Sequence, residues 1–149
     1  MDLKERYGDL LEQAGEMIRR DGAPCVFILP DGSFCPGSGS GVRPLLETLE
    51  HYPELLRGSI LVDKIVGKAA AMLAVLGGAG GVYGLTMSAV ARDYLDAHGI
   101  PAAWDVMTEH IINRAGTGIC PMEETVLGME DPEEGRAALQ ATMRRLMAK

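Results

Sequence analysis

The sequence predicts an α/β protein: a mostly parallel sheet, covered by helices on both faces and opened by one antiparallel hairpin. Short runs rich in Val, Ile and Leu alternate with longer segments of helical periodicity. A Pro30-Asp31-Gly32 turn sits between two short apolar runs near the front. No internal repeat and no linker divides the chain, so residues 1–149 are read as one domain.

The elements follow in order. Residues 2–21 place Leu3, Tyr7, Leu10, Leu11, Ala14, Met17 and Ile18 at helical spacing, and Gly22 supplies the stop. Residues 24–29 form an apolar run of strand type, and Ser33, Phe34 and Cys35 return from the turn as the second strand of the hairpin. A stretch rich in Gly and Ser (36–41) precedes a helix over 42–50 that carries Leu45, Leu46 and Leu49. Residues 59–62 read as a buried strand and 64–76 as the helix after it. Residues 80–87 are the next strand, and Ser88 caps a helix that runs to His98 and stops at Gly99. Residues 101–106 are a third strand, followed by a loop through 113–118 and a short helix over 121–127. Asp131, Pro132, Glu133 and Glu134 start the last helix, with a side-chain cap, proline in the first turn and acids near the dipole's positive end. It runs to Met147, with Leu139, Met143 and Leu146 expected to face inward.

Composition narrows the function classes. With 47% hydrophobic and 23% charged residues in 149, the chain can bury a core, which excludes disorder. The longest apolar stretch, 69–82, is broken by glycines and falls short of the roughly 20 residues of a membrane span. A net charge of −7 argues against nucleic-acid and anionic-membrane partners. Three scattered cysteines and three isolated histidines make neither a disulfide framework nor a zinc module. No cationic region precedes an apolar segment, so a cytoplasmic protein is expected.

In such a sheet, ligands bind beyond the carboxyl ends of the strands, where helices begin. Two segments stand there. In 63–71, Asp63 ends a strand and caps the next helix, while Lys64 and Lys68, four apart, share a helical face beside Gly67 and Ala71. Each lysine near a helix N-terminus opposes the dipole at a cost of about 0.3–1 kcal/mol, so a compensating acid or an anionic ligand is expected. Gly67, roughly 1 kcal/mol worse than Ala in a helix, calls for close approach of backbone or ligand. In 113–124, a glycine-rich turn delivers Cys120 to a helix start, where the dipole favours a thiolate while Glu123 and Glu124 oppose it. Arg114 is suited to clamping a carboxylate or phosphate. The backbone of Gly116, Thr117 and Gly118 offers N–H groups to an anion, and so, more weakly, does that of Ser40 and Gly41 ahead of their helix. The bland alternative for each is a snorkelling lysine, a cysteine used as a small hydrophobe and a flexible turn.

These segments, with 39–46 before them, resemble an uncharacterised prokaryotic family of domains of unknown function grouped with the cytidine deaminase-like superfamily. The resemblance spans roughly residues 23–139. It implies a three-layer α/β/α fold with a five-stranded mixed sheet and an active cleft at the N-termini of two helices. Zinc deaminases of that superfamily carry His-x-Glu or Cys-x-Glu, and Pro-Cys-x-x-Cys, at those helix starts. The corresponding stretches here resemble them only in position: Gly67-Lys68-Ala69-Ala70 and Cys120-Pro121-Met122-Glu123 supply no histidine and no second cysteine. Three ligands for a catalytic zinc cannot be assembled from this set, so no metal and no cofactor are expected.

Three functions follow as expectations. The first is a metal-independent transferase or hydrolase acting on a small anionic or nucleotide-like molecule. Cys120 would be its nucleophile, Lys68 a stabiliser or base, Asp63 the partner of Lys68, and Glu123 a proton shuttle. Lys64, Gly67, Arg114, Gly116, Thr117, Gly118, Ser40 and Gly41 would bind the ligand. The second is an inactive sensor with the same pocket. The third is a homodimer subunit whose small-residue helix, 69–78, packs on a second copy. The first two expect the Cys120 sulfur and the Lys68 ammonium to line one hollow.

Overall fold

The computed structural model describes residues 2–148. Helix α1 (Leu3–Arg19) leads into strands β1 (Cys25–Ile28) and β2 (Phe34–Pro36). Helix α2 (Arg43–His51) and a 3-10 turn (Pro53–Leu55) come next. Then follow β3 (Ile60–Val66), α3 (Lys68–Leu76), β4 (Gly81–Ser88), α4 (Ala89–Ala97), β5 (Ala102–Thr108), α5 (Pro121–Val126) and α6 (Pro132–Met147). The strands form one mixed sheet in the order β2-β1-β3-β4-β5. Strand β1 runs antiparallel to both β2 and β3, whereas β3, β4 and β5 are parallel. The expected α/β class holds: a five-stranded mixed sheet flanked by helices.

Each face of the sheet has its own core. On one, Leu3, Leu11, Ala14 and Ile18 of α1 pack against Val26, Ile60, Val62 and Tyr83. On the other, Phe27, Leu61, Val82 and Met87 meet leucines of α2, α3, α4 and α6. Helix α3 is the centre of that layer, buried from Lys68 to Ala74. An alanine-rich helix that is apolar all round suits a position enclosed on every side. Helices α2, α4, α5 and α6 of the same chain touch it, so residues 68–74 are covered within the chain, while Gly78 at its end is exposed.

Two expected caps form as read. The Ser88 side chain accepts from the Ala91 N–H at 3.2 Å, and Asp131 accepts from the Glu133 N–H at 3.0 Å. Leu139 is fully buried, but Leu146 of α6 is 41% exposed and does not join the core. Among the described residues, no helix is long and apolar enough to cross a membrane.

The main departure lies at the boundary of β3 and α3. The expected helix over 64–76 begins at Lys68, and residues 63–66 belong to the strand. Pairing with β4 explains it: Asp63 lies opposite Gly84, Ile65 opposite Thr86 and Val66 opposite Met87. The β-branched Ile65 and Val66 suit this extended ladder, which satisfies backbone groups a helix would otherwise have used. Gly67 (ψ −179°), not Asp63, is the residue that precedes the helix.

Candidate functional site

Where β3 ends and α3 and α5 begin, the chain encloses an open cavity of about 860 Å³. Asp63, Lys64, Ile65 and Gly67 form one wall, and Cys120, Pro121, Met122 and Glu123 face it from α5 and the residue before it. The loop after α1, the 39–42 segment, Ile111–Arg114 and Leu146 complete the lining, which is mostly apolar. The volume suits a drug-sized molecule, and a few polar groups set among apolar ones are typical of such sites.

Glu123 is 1% exposed. Its Oε1 accepts from the Lys68 backbone N–H at 2.9 Å and from the Ser88 hydroxyl at 2.5 Å, while Oε2 accepts from the Ile111 N–H. This carboxylate is therefore the N-terminal cap of α3, supplied from 55 residues away, since Gly67 has no side chain with which to cap it. It also answers the dipole problem set by a lysine in the first turn. A Cβ on Gly67 would lie 3.0 Å from Glu123 Oε1 and 3.0 Å from Ile111 Cγ1, so the close approach expected of this glycine is to a carboxylate of the protein itself.

Lys68 is turned away from the cavity. Only 5% exposed, it donates from Nζ to the Leu127 carbonyl at 2.8 Å, lies 3.8 Å from Glu130, and sits over the Tyr94 ring at 5.6 Å. Its ammonium ties the start of α3 to the α5–α6 connection. Lys64, on the strand, is exposed and lines the cavity, so the two lysines do not share a face. The hollow holds Cys120 but not the Lys68 ammonium, and Asp63 is not the partner of Lys68.

Asp63 is a buried acid on the cavity wall. It is 7% exposed and has no side-chain partner among the described residues. Burial pushes its carboxyl up to about 7, and only the backbone N–H groups of Ile65 and Lys64 pull the other way. Across the β1–β3 ladder it faces Cys25, whose thiol is pushed up by burial and then by the Asp63 charge. Cys25 therefore stays a thiol.

The glycine-rich loop serves itself. The Gly116 N–H donates to the Asn113 carbonyl at 3.0 Å, the Thr117 N–H to Asn113 Oδ1 at 3.1 Å, and Ile112 bridges Ile119. Gly116, Thr117 and Gly118 do not line the cavity, although Asn113 and Arg114 do. The expected anion nest is closed because Asn113 takes two of its N–H groups. Ser40 and Gly41 do line the cavity.

Sequence reasoning missed Ser88 as a ligand of Glu123, and His110, whose buried Nδ1 has no hydrogen-bond partner and lies 3.9 Å from Glu123 Oε2. It also missed the apolar wall of Ile111 and Ile112, which two adjacent isoleucines in a loop could have signalled. Among the described residues, no group of three or more His, Cys, Asp or Glu side chains is arranged to hold a metal ion, so the donor set does not fit a zinc site.

A mixed sheet flanked by helices, with an open cavity of small-molecule size at the ends of its strands, defines an α/β domain with a candidate pocket. The chain belongs to the TM1506 family, described as a domain of unknown function (DUF1893), whose model matches residues 13–143. It is similar to the crystal structure of a DUF1893 family protein from Thermotoga maritima, with a TM-score of 0.78, 25% identity and 89% of each chain covered. No curated protein is similar enough to match.

Proposed function

We propose that this protein binds a small ligand in the cavity between β3 and α5, and that its fold is of cytidine deaminase-like lineage. The carrying observation is Asp63, a buried carboxyl with no side-chain partner on the wall of an open, mostly apolar cavity. A group perturbed by desolvation and set in a cleft is a candidate for a functional site. The hairpin-opened sheet and the cavity where α3 and α5 begin agree with the proposed lineage.

Binding is favoured over turnover. Of the residues expected to carry catalysis, Cys120, Asp63 and Glu123 line the cavity and Lys68 does not. Lys68 Nζ is turned out of the cavity to donate to the Leu127 carbonyl and the Glu123 oxygens are engaged by three donors, so neither side chain is placed to act as a base on Cys120. Cys120 is then a reporter on the wall rather than a nucleophile with a base.

The test uses that reporter in a Cys35→Ser background, since Cys25 is buried. A panel of small metabolites, nucleotides included, is screened by thermal shift, and each stabilising compound is tested for protection of Cys120 against iodoacetamide. At least one compound should both raise Tm and slow alkylation. Stabilising compounds that all leave the alkylation rate unchanged would place the binding site elsewhere.

A further inference from the structure

The cavity is electrically lopsided. Its lining holds the buried Asp63 carboxyl, served by backbone N–H groups of Ile65 and Lys64 and by no side chain. On the same lining, Lys64 and Arg114 are both exposed, and neither makes a side-chain hydrogen bond or an ion pair among the described residues. The rest of the lining is mostly apolar: Ile65, Ile111, Ile112, Pro121 and Met122 all contribute. A buried carboxyl favours a ligand group that brings donors and positive charge, because a neutral acceptor there would leave the ionised form unpaired. Two unpaired cations by the solvent favour an anion, and the arginine fork suits a carboxylate or phosphate.

We infer that the ligand is a small zwitterion: an apolar body that carries an amine or amidine to Asp63 and a carboxylate or phosphate to Lys64 and Arg114. The inference rests on the cavity reading above and adds the ligand's charge pattern to it. It departs from a purely anionic ligand, which would meet the buried acid with like charge.

The groups around Asp63 are few. Cys25 faces it from β1, Gly84 of β4 brings no charge, and α3 offers Ala69 and Ala70 to the lining. Lys64 adjoins it in β3, and Cys120 and Glu123 line the cavity opposite. Asp63, with its value near 7, is thus the group whose ionisation sets the pH response of an amidine held there.

Three matched probes test this on the full chain by heteronuclear NMR titration: 4-amidinobenzoate, benzamidine and benzoate. The expected order of affinity is 4-amidinobenzoate, then benzamidine, then benzoate. Raising the pH from about 6 to about 8 should strengthen amidine binding roughly tenfold as Asp63 ionises. Asp63→Asn should remove both the amidine's advantage and the pH response. Lys64→Ala with Arg114→Ala should bring 4-amidinobenzoate down to benzamidine. Benzoate binding as tightly as 4-amidinobenzoate, or amidine binding that tightens on acidification, would overturn the zwitterion while leaving the cavity as a binding site. If no probe moves the signals of cavity residues, the cavity reading falls with it.

Discussion

Glu123 and Asp63 are both buried carboxyl groups on the wall of one cavity, yet their surroundings are opposite. Glu123 receives three donors, from Lys68, Ser88 and Ile111, and closes the open end of α3. Asp63 receives no side chain, and burial alone drives it up to about 7. An acid surrounded by donors holds a structure together, because removing it strands each donor. An acid buried with only backbone N–H groups of Ile65 and Lys64 to serve it and no countercharge destabilises the fold when ionised, and the cost makes sense where a ligand supplies what the protein omits. The contrast separates structural from functional chemistry more sharply than residue type does.

The largest effect should come from breaking the satisfied member. Glu123→Ala leaves the three donors of Lys68, Ser88 and Ile111 without their acceptor and should cost roughly 3–6 kcal/mol, read as the free energy of urea unfolding. Glu123→Gln should not rescue it fully. One amide oxygen can still serve Lys68 and Ser88, but the amide N–H₂ then confronts the Ile111 N–H, at about 2 kcal/mol.

Asp63→Asn sharpens the other side. The folded value near 7 lies above the ordinary carboxyl value of 3.8, so the folded state holds the proton more tightly than the unfolded chain does. The group's stabilising contribution is therefore complete below 3.8 and is lost as pH rises through about 7. At roughly 1.4 kcal/mol per unit, the wild type gives up as much as about 4 kcal/mol across that window. Asp63→Asn should flatten this part of the stability–pH curve and leave the variant more stable than wild type at mildly alkaline pH. Equal slopes for the two proteins would break the comparison.

Lys68 gives the smallest effect of the set. Lys68→Ala strands the Leu127 carbonyl and should cost about 2 kcal/mol. Because its ammonium points out of the cavity, the same change should leave probe affinity unchanged, whereas a loss of binding at constant stability would put the residue back in the site.

Much of this was legible in the sequence. Alternating apolar runs gave the order of elements, and Ser88 and Asp131 marked helix starts that the structure keeps. The segment 63–71 was legible as important but not in its geometry. Lys64 and Lys68 have helical spacing, and nothing in one sequence shows that β4 will hold residues 63–66 extended by pairing to Met87. Gly67 announced a close approach without naming Glu123, because a cap borrowed from 55 residues away leaves no local pattern. The glycines of 116–118 suggested an anion nest, and the competing claim of Asn113 on those amides became visible only once the loop had a shape. Burial makes Asp63 distinctive, and burial is the property that spacing reports least.

The most direct test is a ¹³C NMR titration of the Asp63 side-chain carboxyl in the free protein. The account predicts a midpoint near 7 that falls when 4-amidinobenzoate is bound. A midpoint at the ordinary value of 3.8, unmoved by the probe, would mean that the carboxyl is already satisfied and that the cavity makes no demand on a ligand.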